Sequence, residues 1–308
     1  MILISEDVWG TPFEELSKRR SIHQDPELWG DKEKLFAAVK DIEALVVRNR
    51  TQVTAELIAA APNLKVIARA GVGLDNIDVK AADARGVVVV AGLGANAVAV
   101  AELTLSLALA LSRNIPNQDQ QTKSGKWLRT PGVEITGKTW GLLGCGATGR
   151  ATAKLLQGFG CKVLGYDPFF KGNQEIEMAD WEEVIKTSDY LSVHMPATAE
   201  TISSINSKVF SAMKESAYLI NVGRGELVNE EDLIAALKSG QIAGAALDVR
   251  SSEPPKVAEL ESLANVILTP HIAGITKESQ SAINRILVEN LELVLTGKPA
   301  THAVGAVK

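Results

Sequence analysis

The stretch Thr139–Leu156, TWGLLGCGATGRATAKLL, decides how the rest of the chain is read. An apolar, strand-like run from Thr139 to Leu143 stops at Gly144, and a helix-forming run starts just after Gly146. Gly144 permits a tight turn, Gly146 lets backbone approach a pyrophosphate, and Gly149 lets the new helix pack closely on the strand. Ala147 and Thr148 fall in the first turn of that helix, where free amides attract an anion. Downstream, Asp167 closes the next strand in CKVLGYDP, at the separation expected for a carboxylate that accepts from ribose hydroxyls. The strand–turn–helix context raises this triple-glycine match above an ordinary turn. A carboxylate at Asp167 repels a 2′-phosphate, and Phe169 and Phe170 offer no guanidinium, so the pattern selects NAD over NADP.

Outward from this unit the chain alternates short β-rich runs with amphipathic helices, the pattern of parallel strands joined by crossover helices. The second half reads as strands at Thr139–Leu143, Lys162–Tyr166, Tyr190–His194, Ala217–Asn221, Gly244–Asp248 and Val266–Thr269. The first hundred residues repeat the pattern at Ile2–Ile4, Ala44–Val47, Val66–Arg69 and Val87–Val90, with a weaker strand near Ser21–His23. Ala97–Arg113 reads as a connecting helix, and Lys277–Leu295 as a closing helix that stops at Gly297 and Pro299. The fold class is therefore α/β, with two Rossmann- or flavodoxin-like parallel-sheet domains and the active site expected in the interdomain cleft. A short tail returning to the first sheet makes that domain discontinuous. The expected division is 1–97 with 283–308 for the substrate-binding domain and 98–282 for the dinucleotide-binding domain.

Composition narrows the function classes. The chain has 308 residues, 46% hydrophobic and 22% charged, as in ordinary globular proteins, and this length predicts two domains. A net charge of −5 provides no basic field for nucleic acid or anionic lipid. Cys145 and Cys161 are too few and too poorly placed for a disulfide framework or a zinc site, and read as reduced and packed. No metal site is expected. The start, MILISEDVWG, lacks the pattern of a signal peptide, and Ala97–Leu111 is too short to span a bilayer, so a cytoplasmic protein is expected.

Dinucleotide-linked oxidation of an alcohol needs a proton acceptor and a cation for the oxygen-bearing substrate. Of four histidines, His23 and His302 lack supporting motifs and are expected to face solvent. His194 ends a strand before Met195 and Pro196; packing, or lining the cofactor site through its backbone, are both open. His271 follows the strand VILTP, at the carboxyl end where open parallel sheets bind ligands. Other strand ends carry Arg224 in NVGRGELV, Asp248 in GAALDV and Glu253 in RSSEPP. Taken singly, each has an ordinary reading as a cap or surface charge; together they suit one reaction centre.

These motifs identify a resemblance to the D-isomer-specific 2-hydroxyacid dehydrogenase family, in particular its phosphoglycerate dehydrogenase-like branch. It is carried by ARAGVGLDNID (Ala68–Asp78), GKTWGLLGCGATGR (Gly137–Arg150), LINVGRGELVNEEDLIAAL (Leu219–Leu237), GAALDV (Gly244–Val249) with Glu253 and Pro254, and TPHIAG (Thr269–Gly274). The resemblance implies that His271 is the acid/base, Glu253 its carboxylate partner, and Arg224 the residue that binds the substrate carboxylate and 2-oxygen. A neighbouring carboxylate favours a protonated imidazole, and a guanidinium meets a carboxylate in two-pronged geometry. The resemblance places the amides of Val72 and Gly73 at the substrate carboxylate and Asp248 at the nicotinamide carboxamide. It adds Pro196, Thr201, Val222, Gly223 and Gly274 to the cofactor-side positions. In VVRNRT, Arg48 and Asn49 resemble the loop that meets the far end of the substrate; solvated loop charges are the alternative for Arg48 and Arg50.

The expected activity is reversible hydride transfer between NAD and C2 of a small anionic 2-hydroxy or 2-keto acid, such as 3-phosphoglycerate, hydroxypyruvate or glyoxylate. An NAD(H)-sensing corepressor of the same fold is the alternative, and the intact Arg224, Glu253 and His271 set argues against it. The family resemblance also implies a homodimer, through the Ala97–Arg113 helix and the loop bearing Trp127. Two departures stand out. AGLGAN replaces the N-T-P approach to Asn96, and Arg250 with two serines follows GAALDV where many relatives carry a bulky aromatic. Arg250 is read either as a surface change or as an added cation near the histidine loop. With only a short tail after the closing helix, no C-terminal effector domain is expected.

Overall fold

The computed structural model describes residues 1–8 and 10–308. Along the chain run β1 (Ile2–Ile4), α1 (Thr11–Ser17), β2 (Ile22–Gln24), α2 (Lys32–Ala38), β3 (Ala44–Val47), α3 (Ala55–Ala59), β4 (Val66–Arg69), α4 (Val79–Ala84) and β5 (Val88–Ala91). Next come α5 (Ala97–Ser112), α6 (Ile115–Lys123), β6 (Thr139–Leu143), α7 (Ala147–Leu156), β7 (Lys162–Tyr166), β8 (Glu177–Met178), α8 (Trp181–Thr187) and β9 (Tyr190–Val193). The chain ends with α9 (Ser207–Ala212), β10 (Tyr218–Asn221), α10 (Glu230–Ser239), β11 (Gly244–Leu247), β12 (Val266–Leu268), α11 (Lys277–Leu295) and β13 (Ala303–Val304).

Two compact units result, Met1–Asn96 with Ile275–Lys308, and Ala97–Gly274. The expected boundary at 282/283 falls inside α11 and is corrected to Gly274/Ile275. That helix cannot be divided, because it runs unbroken from its Thr276 cap and packs on α1, β4 and β5. In the first unit the sheet order is β13-β5-β4-β3-β1-β2, parallel except for β13, where Ala303 and Val304 pair antiparallel with Val90 and Val89. Both faces are covered over the inner strands, so β1, β3 and β5 are apolar throughout rather than alternating, whereas the edge strand β2 carries His23 and Gln24. Ile2, Ile4, Val46, Ala68 and Val90 meet α1 and α11, while Leu3, Leu45, Val47, Ile67 and Val89 point to the layer holding α2, α3 and α4. His302, expected to face solvent, is half-buried, its Nδ1 3.0 Å from Thr301 Oγ1, because β13 draws the tail onto the sheet.

In the second unit the order is β12-β11-β10-β9-β6-β7-β8, all parallel. Order reverses between β6 and β9, the switch point at which doubly wound sheets bind dinucleotides. Neighbouring residues on β6 enter opposite cores: Leu143 joins Leu191, Val193 and Leu219, while Leu142 joins Val163, Ile220 and the buried face of α5. Trp140, Tyr190 and Tyr218 stack across three strands with ring centroids 5.1 and 5.4 Å apart. Tyr190 places its hydroxyl 2.7 Å from Ser112 Oγ, tying α5 to the sheet. No single helix is long and apolar enough to cross a membrane among the described residues.

Candidate active site

The glycine turn is shaped by contacts that a side chain would abolish. Gly144 has φ +98°, and a Cβ there would lie 2.7 Å from the Met195 nitrogen at the neighbouring strand end. A Cβ on Gly149 would lie 2.2 Å from the Gly144 carbonyl oxygen, so strand and helix meet backbone to backbone. Gly146 differs: a Cβ there meets nothing within 4 Å, and both it and Ala147 are exposed. Its absent side chain therefore leaves room for something outside the chain. Gly146 caps α7 with no side-chain hydrogen bond, so the first-turn amides near Ala147 and Thr148 remain available to an anion. The residues present fit a dinucleotide.

Asp167 does more than the sequence suggests. Its Oδ2 accepts the Cys145 amide at 2.8 Å, and its Oδ1 accepts the amides of Phe169 and Phe170 at 2.8 and 3.1 Å. The carboxylate thus ties the glycine turn to the end of β7 before any ribose arrives, and keeps one of its four acceptor positions. His194, beyond β9, donates its amide to Leu143 and sets its Nε2 3.0 Å from Ser192 Oγ, which also accepts from Trp140 Nε1 at 2.8 Å. Burial pushes the His194 imidazole down to about 3, so it stays neutral and cannot shuttle protons near neutral pH. Pro196 is exposed, and its carbonyl accepts Thr201 Oγ1 at 2.8 Å, which folds the following loop back on itself.

Arg224 follows β10, after Val222 and Gly223. Asn221 Nδ2 donates to the Arg224 carbonyl at 2.9 Å, fixing the backbone at the root of the side chain, and Arg224 Nη1 donates to the Gly223 carbonyl at 2.9 Å, orienting the guanidinium. A Cβ on Gly225 would sit 1.9 Å from the Arg250 carbonyl carbon, so this turn lies directly against the strand end that leads to Glu253.

Asp248, 1% exposed, organises the histidine turn. Its Oδ1 accepts Thr269 Oγ1 at 2.5 Å and the Ile272 amide at 2.9 Å; its Oδ2 accepts the Ala273 amide at 2.8 Å. Its carbonyl accepts the His271 amide at 2.7 Å. Held this way, His271 adopts φ +55°, a conformation uncommon for a side-chain-bearing residue and one that persists only where surroundings enforce it. His271 Nδ1 lies 2.7 Å from Glu253 Oε2, and both side chains are substantially exposed. With the carboxylate at Nδ1, that nitrogen carries the proton in the neutral ring and Nε2 becomes the working position. Gly274 closes this turn and the unit.

In the first unit, the substrate-side residues share a foundation that the sequence did not disclose. Glu6, 3% exposed, accepts the amides of Arg48 (2.8 Å) and Thr51 (3.0 Å) at Oε1 and those of Asn49 (3.1 Å) and Arg50 (3.0 Å) at Oε2. Asn76 Nδ2 donates to the carbonyls of Arg48 and Thr51 at 3.3 and 2.8 Å, linking this turn to the segment that holds Val72 and Gly73. The side chain of Arg50 stacks over Trp29 at 4.6 Å and is thereby committed, whereas Arg48 is half-buried. The signal for Glu6 was its place just beyond β1; that for Asn76 was its membership of ARAGVGLDNID.

Residues 105–273 match the sequence model of the D-isomer-specific 2-hydroxyacid dehydrogenase NAD-binding domain. The chain is 42% identical over 280 residues to D-3-phosphoglycerate dehydrogenase of Archaeoglobus fulgidus, an alignment covering 89% of this chain and 53% of that protein. It spans about half the length of the curated relatives it matches. Among solved structures, the TT0316 protein of Thermus thermophilus superposes with a TM-score of 0.91 at 33% identity, covering 98% of this chain and 99% of that one. An NADPH-dependent glyoxylate/hydroxypyruvate reductase of Sinorhizobium meliloti, solved with NADP and malonate, superposes with a TM-score of 0.88 at 31% identity over 98% and 96% of the two chains. The chain belongs to the D-isomer-specific 2-hydroxyacid dehydrogenase family.

Proposed function

We propose that this protein is an NAD-dependent D-2-hydroxyacid dehydrogenase acting on a small anionic 2-hydroxy or 2-keto acid. The observation that carries the reading is the 2.7 Å pair between His271 Nδ1 and Glu253 Oε2 at the carboxyl end of a family-typical dinucleotide-binding sheet. Gly146 and the first-turn amides near Ala147 and Thr148 would hold the pyrophosphate, on a turn shaped by Gly144 and Gly149, with Asp167 at the ribose and Asp248 offering its remaining acceptor position to the carboxamide. When bound, the nicotinamide supplies or accepts the hydride at the substrate's C2. His271 gives a proton from Nε2 to the ketone oxygen in reduction and takes it from the hydroxyl in oxidation. Glu253 accepts the Nδ1 hydrogen, fixing the tautomer and offsetting the charge that forms on the ring. Arg224 binds the carboxylate and 2-oxygen through its fork, the amides of Val72 and Gly73 add to the carboxylate site, and Arg48 with Asn49 meets the far end of the acid.

We take 3-phosphoglycerate, hydroxypyruvate and glyoxylate, the substrates in the names of relatives, as the first to test. NADH oxidation with glyoxylate, hydroxypyruvate and other 2-keto acids, and NAD reduction with 3-phosphoglycerate, are the assays. His271→Ala is expected to abolish turnover while NADH still binds; a near-normal kcat in that variant ends the assignment. Asp167 supports NAD over NADP, and a higher kcat/KM with NADP reverses it. A cytoplasmic homodimer is the working assembly. Trp127 (76% exposed) and Leu128 (59%), together with the exposed Leu109 of α5, supply the apolar surface for pairing. Sedimentation as a monomer at micromolar concentration contradicts that pairing.

A further inference from the structure

Arg250, one of the two departures from the family pattern, is not a surface change. Its side chain is 8% exposed and is forked onto two carboxylates. Nε and Nη2 meet Glu230 Oε1 and Oε2 at 3.1 and 2.8 Å, and Nη1 meets Glu261 Oε1 at 2.6 Å. Glu230 begins α10 and Glu261 sits in the turn Leu260–Ser262, so one guanidinium joins three separate segments. Glu230 also accepts the amide and hydroxyl of Ser251 at 2.9 and 3.0 Å, and Glu261 accepts the Ala258 amide at 2.8 Å. The exposed stretch 251–258, which forms no helix or strand, is thus anchored near both of its ends.

Between those anchors lies Glu253. Its Oε1 accepts the amide of Arg250 itself at 3.1 Å, while its Oε2 pairs with His271. The carboxylate that orients the imidazole is therefore referenced to the backbone of Arg250, and that backbone is fixed by the guanidinium beyond it. The two forked carboxylates carry one more charge than Arg250 neutralises, so removing the cation leaves them repelling each other at the root of the loop. The mutual hydrogen bonds raise the Arg250 guanidinium pKa; Glu230 and Glu261 are held below the usual carboxylate range, in Glu230 despite a burial effect that pushes upward. All three groups stay charged across the working pH range.

We propose that Arg250 is a positioning residue for the acid/base pair, acting through the Glu230–Arg250–Glu261 clamp to hold Glu253 against His271. The role rests on the dehydrogenase reading for its kinetic consequence but not for its geometric one, and the two are tested apart. Arg250→Met keeps the length and loses the fork. In folded protein, checked by circular dichroism and melting temperature, kcat is expected to fall by about tenfold or more, since small misplacements of catalytic groups carry losses of that order. The dissociation constant for NADH stays within about twofold, because the glycine turn is untouched. Arg250→Lys recovers only part of the loss, as a single ammonium cannot bridge both carboxylates.

The decisive readout is the tautomer of neutral His271, followed by ring ¹⁵N shifts in uniformly labelled protein and assigned with His271→Gln. In the wild type Nδ1 carries the proton. Glu253→Gln and Arg250→Met are both expected to shift the ring toward the Nε2-protonated form. Folded Arg250→Met with wild-type kcat and wild-type ring shifts overturns the proposal. Should that variant fail to fold, Glu261→Ala, which keeps the Glu230 fork, decides: a partial tautomer shift supports the clamp, and unchanged shifts reject it. Should the wild type show turnover in neither assay, the dehydrogenase reading falls while the ring shifts still judge Arg250.

Discussion

Glu6→Gln tests whether one buried carboxylate holds the Arg48–Thr51 turn. The native side chain accepts four backbone amides at 2.8–3.1 Å, and hydrogen bonds to a charged acceptor each contribute about 1.5–3 kcal/mol in isolation. Four bonds to one carboxylate do not add. Glutamine keeps one oxygen with two acceptor positions but turns an amide donor toward the other amides, at about 1–3 kcal/mol for each donor left unmet. A loss of about 3 kcal/mol follows, on the order of 100-fold in the population of the opened turn. Residue-resolved hydrogen exchange at Arg48, Asn49, Arg50 and Thr51 reads this directly, and Trp29 fluorescence reports release of the stacked Arg50. Burial alone pushes the Glu6 carboxyl up, but the amides of Thr51, Arg48 and Arg50 outweigh it and hold it below its ordinary 4.5. Because the folded value lies below the unfolded one, the carboxylate's contribution is complete above about pH 4.5 and is lost as pH falls through the folded value. The gap between wild type and Glu6→Gln therefore narrows on acidification. Exchange rates at those four amides within threefold of wild type at pH 7 would falsify the anchoring role.

Gly149→Ala places a methyl group 2.2 Å from the Gly144 carbonyl oxygen, and NADH affinity is expected to fall at least tenfold as strand and helix separate; calorimetry showing unchanged affinity removes the close-packing argument. Burial, and then the neighbouring Asp167 charge, push the Cys145 thiol up to about 12, so native protein at pH 8 is expected to resist a disulfide reagent at this position. Rapid labelling of Cys145 without unfolding contradicts that environment.

Periodicity and punctuation were enough for the strands that build both sheets, because fully covered parallel strands must be apolar along their whole length. They located β6 and β7 at their observed ends, and α11 likewise. They missed β8 and β13, which are two residues long, too short to carry a period, and formed only by pairing with β7 and β5. The division at 282/283 failed for a related reason: a helix that closes one unit looks in sequence like the last helix of the other. At the candidate site, the pairing of Glu253 with His271 was legible because each follows a strand within a distinctive motif. Glu6, Glu230 and Glu261 were not, since their partners lie 42–45, 20–21 and 3–11 residues away and only the folded chain shows which loops they join.

Carboxylates that accept backbone amides hold four of the irregular segments that carry the proposed site residues, whereas the Arg224 turn uses Asn221 instead. Glu6 anchors the Arg48 turn, Asp167 the glycine turn, Asp248 the His271 turn, and Glu230 the root of the Glu253 loop. A loop held through its amides is tolerant of its own side chains, because every residue except proline brings the same donor. The Glu253 loop is the exception: Glu230 accepts the Ser251 amide, but it is the Arg250 side chain that joins Glu230 to Glu261 there. Anchoring through amides also bears on cofactor choice. Asp167 has three of its four acceptor positions filled by Cys145, Phe169 and Phe170, so it cannot swing aside to admit a 2′-phosphate without releasing the glycine turn proposed to bind the pyrophosphate. Asp167→Ser should therefore weaken NADH binding more than it improves NADPH binding. Efficient NADPH use by the single variant would mean that the turn stands without its carboxylate.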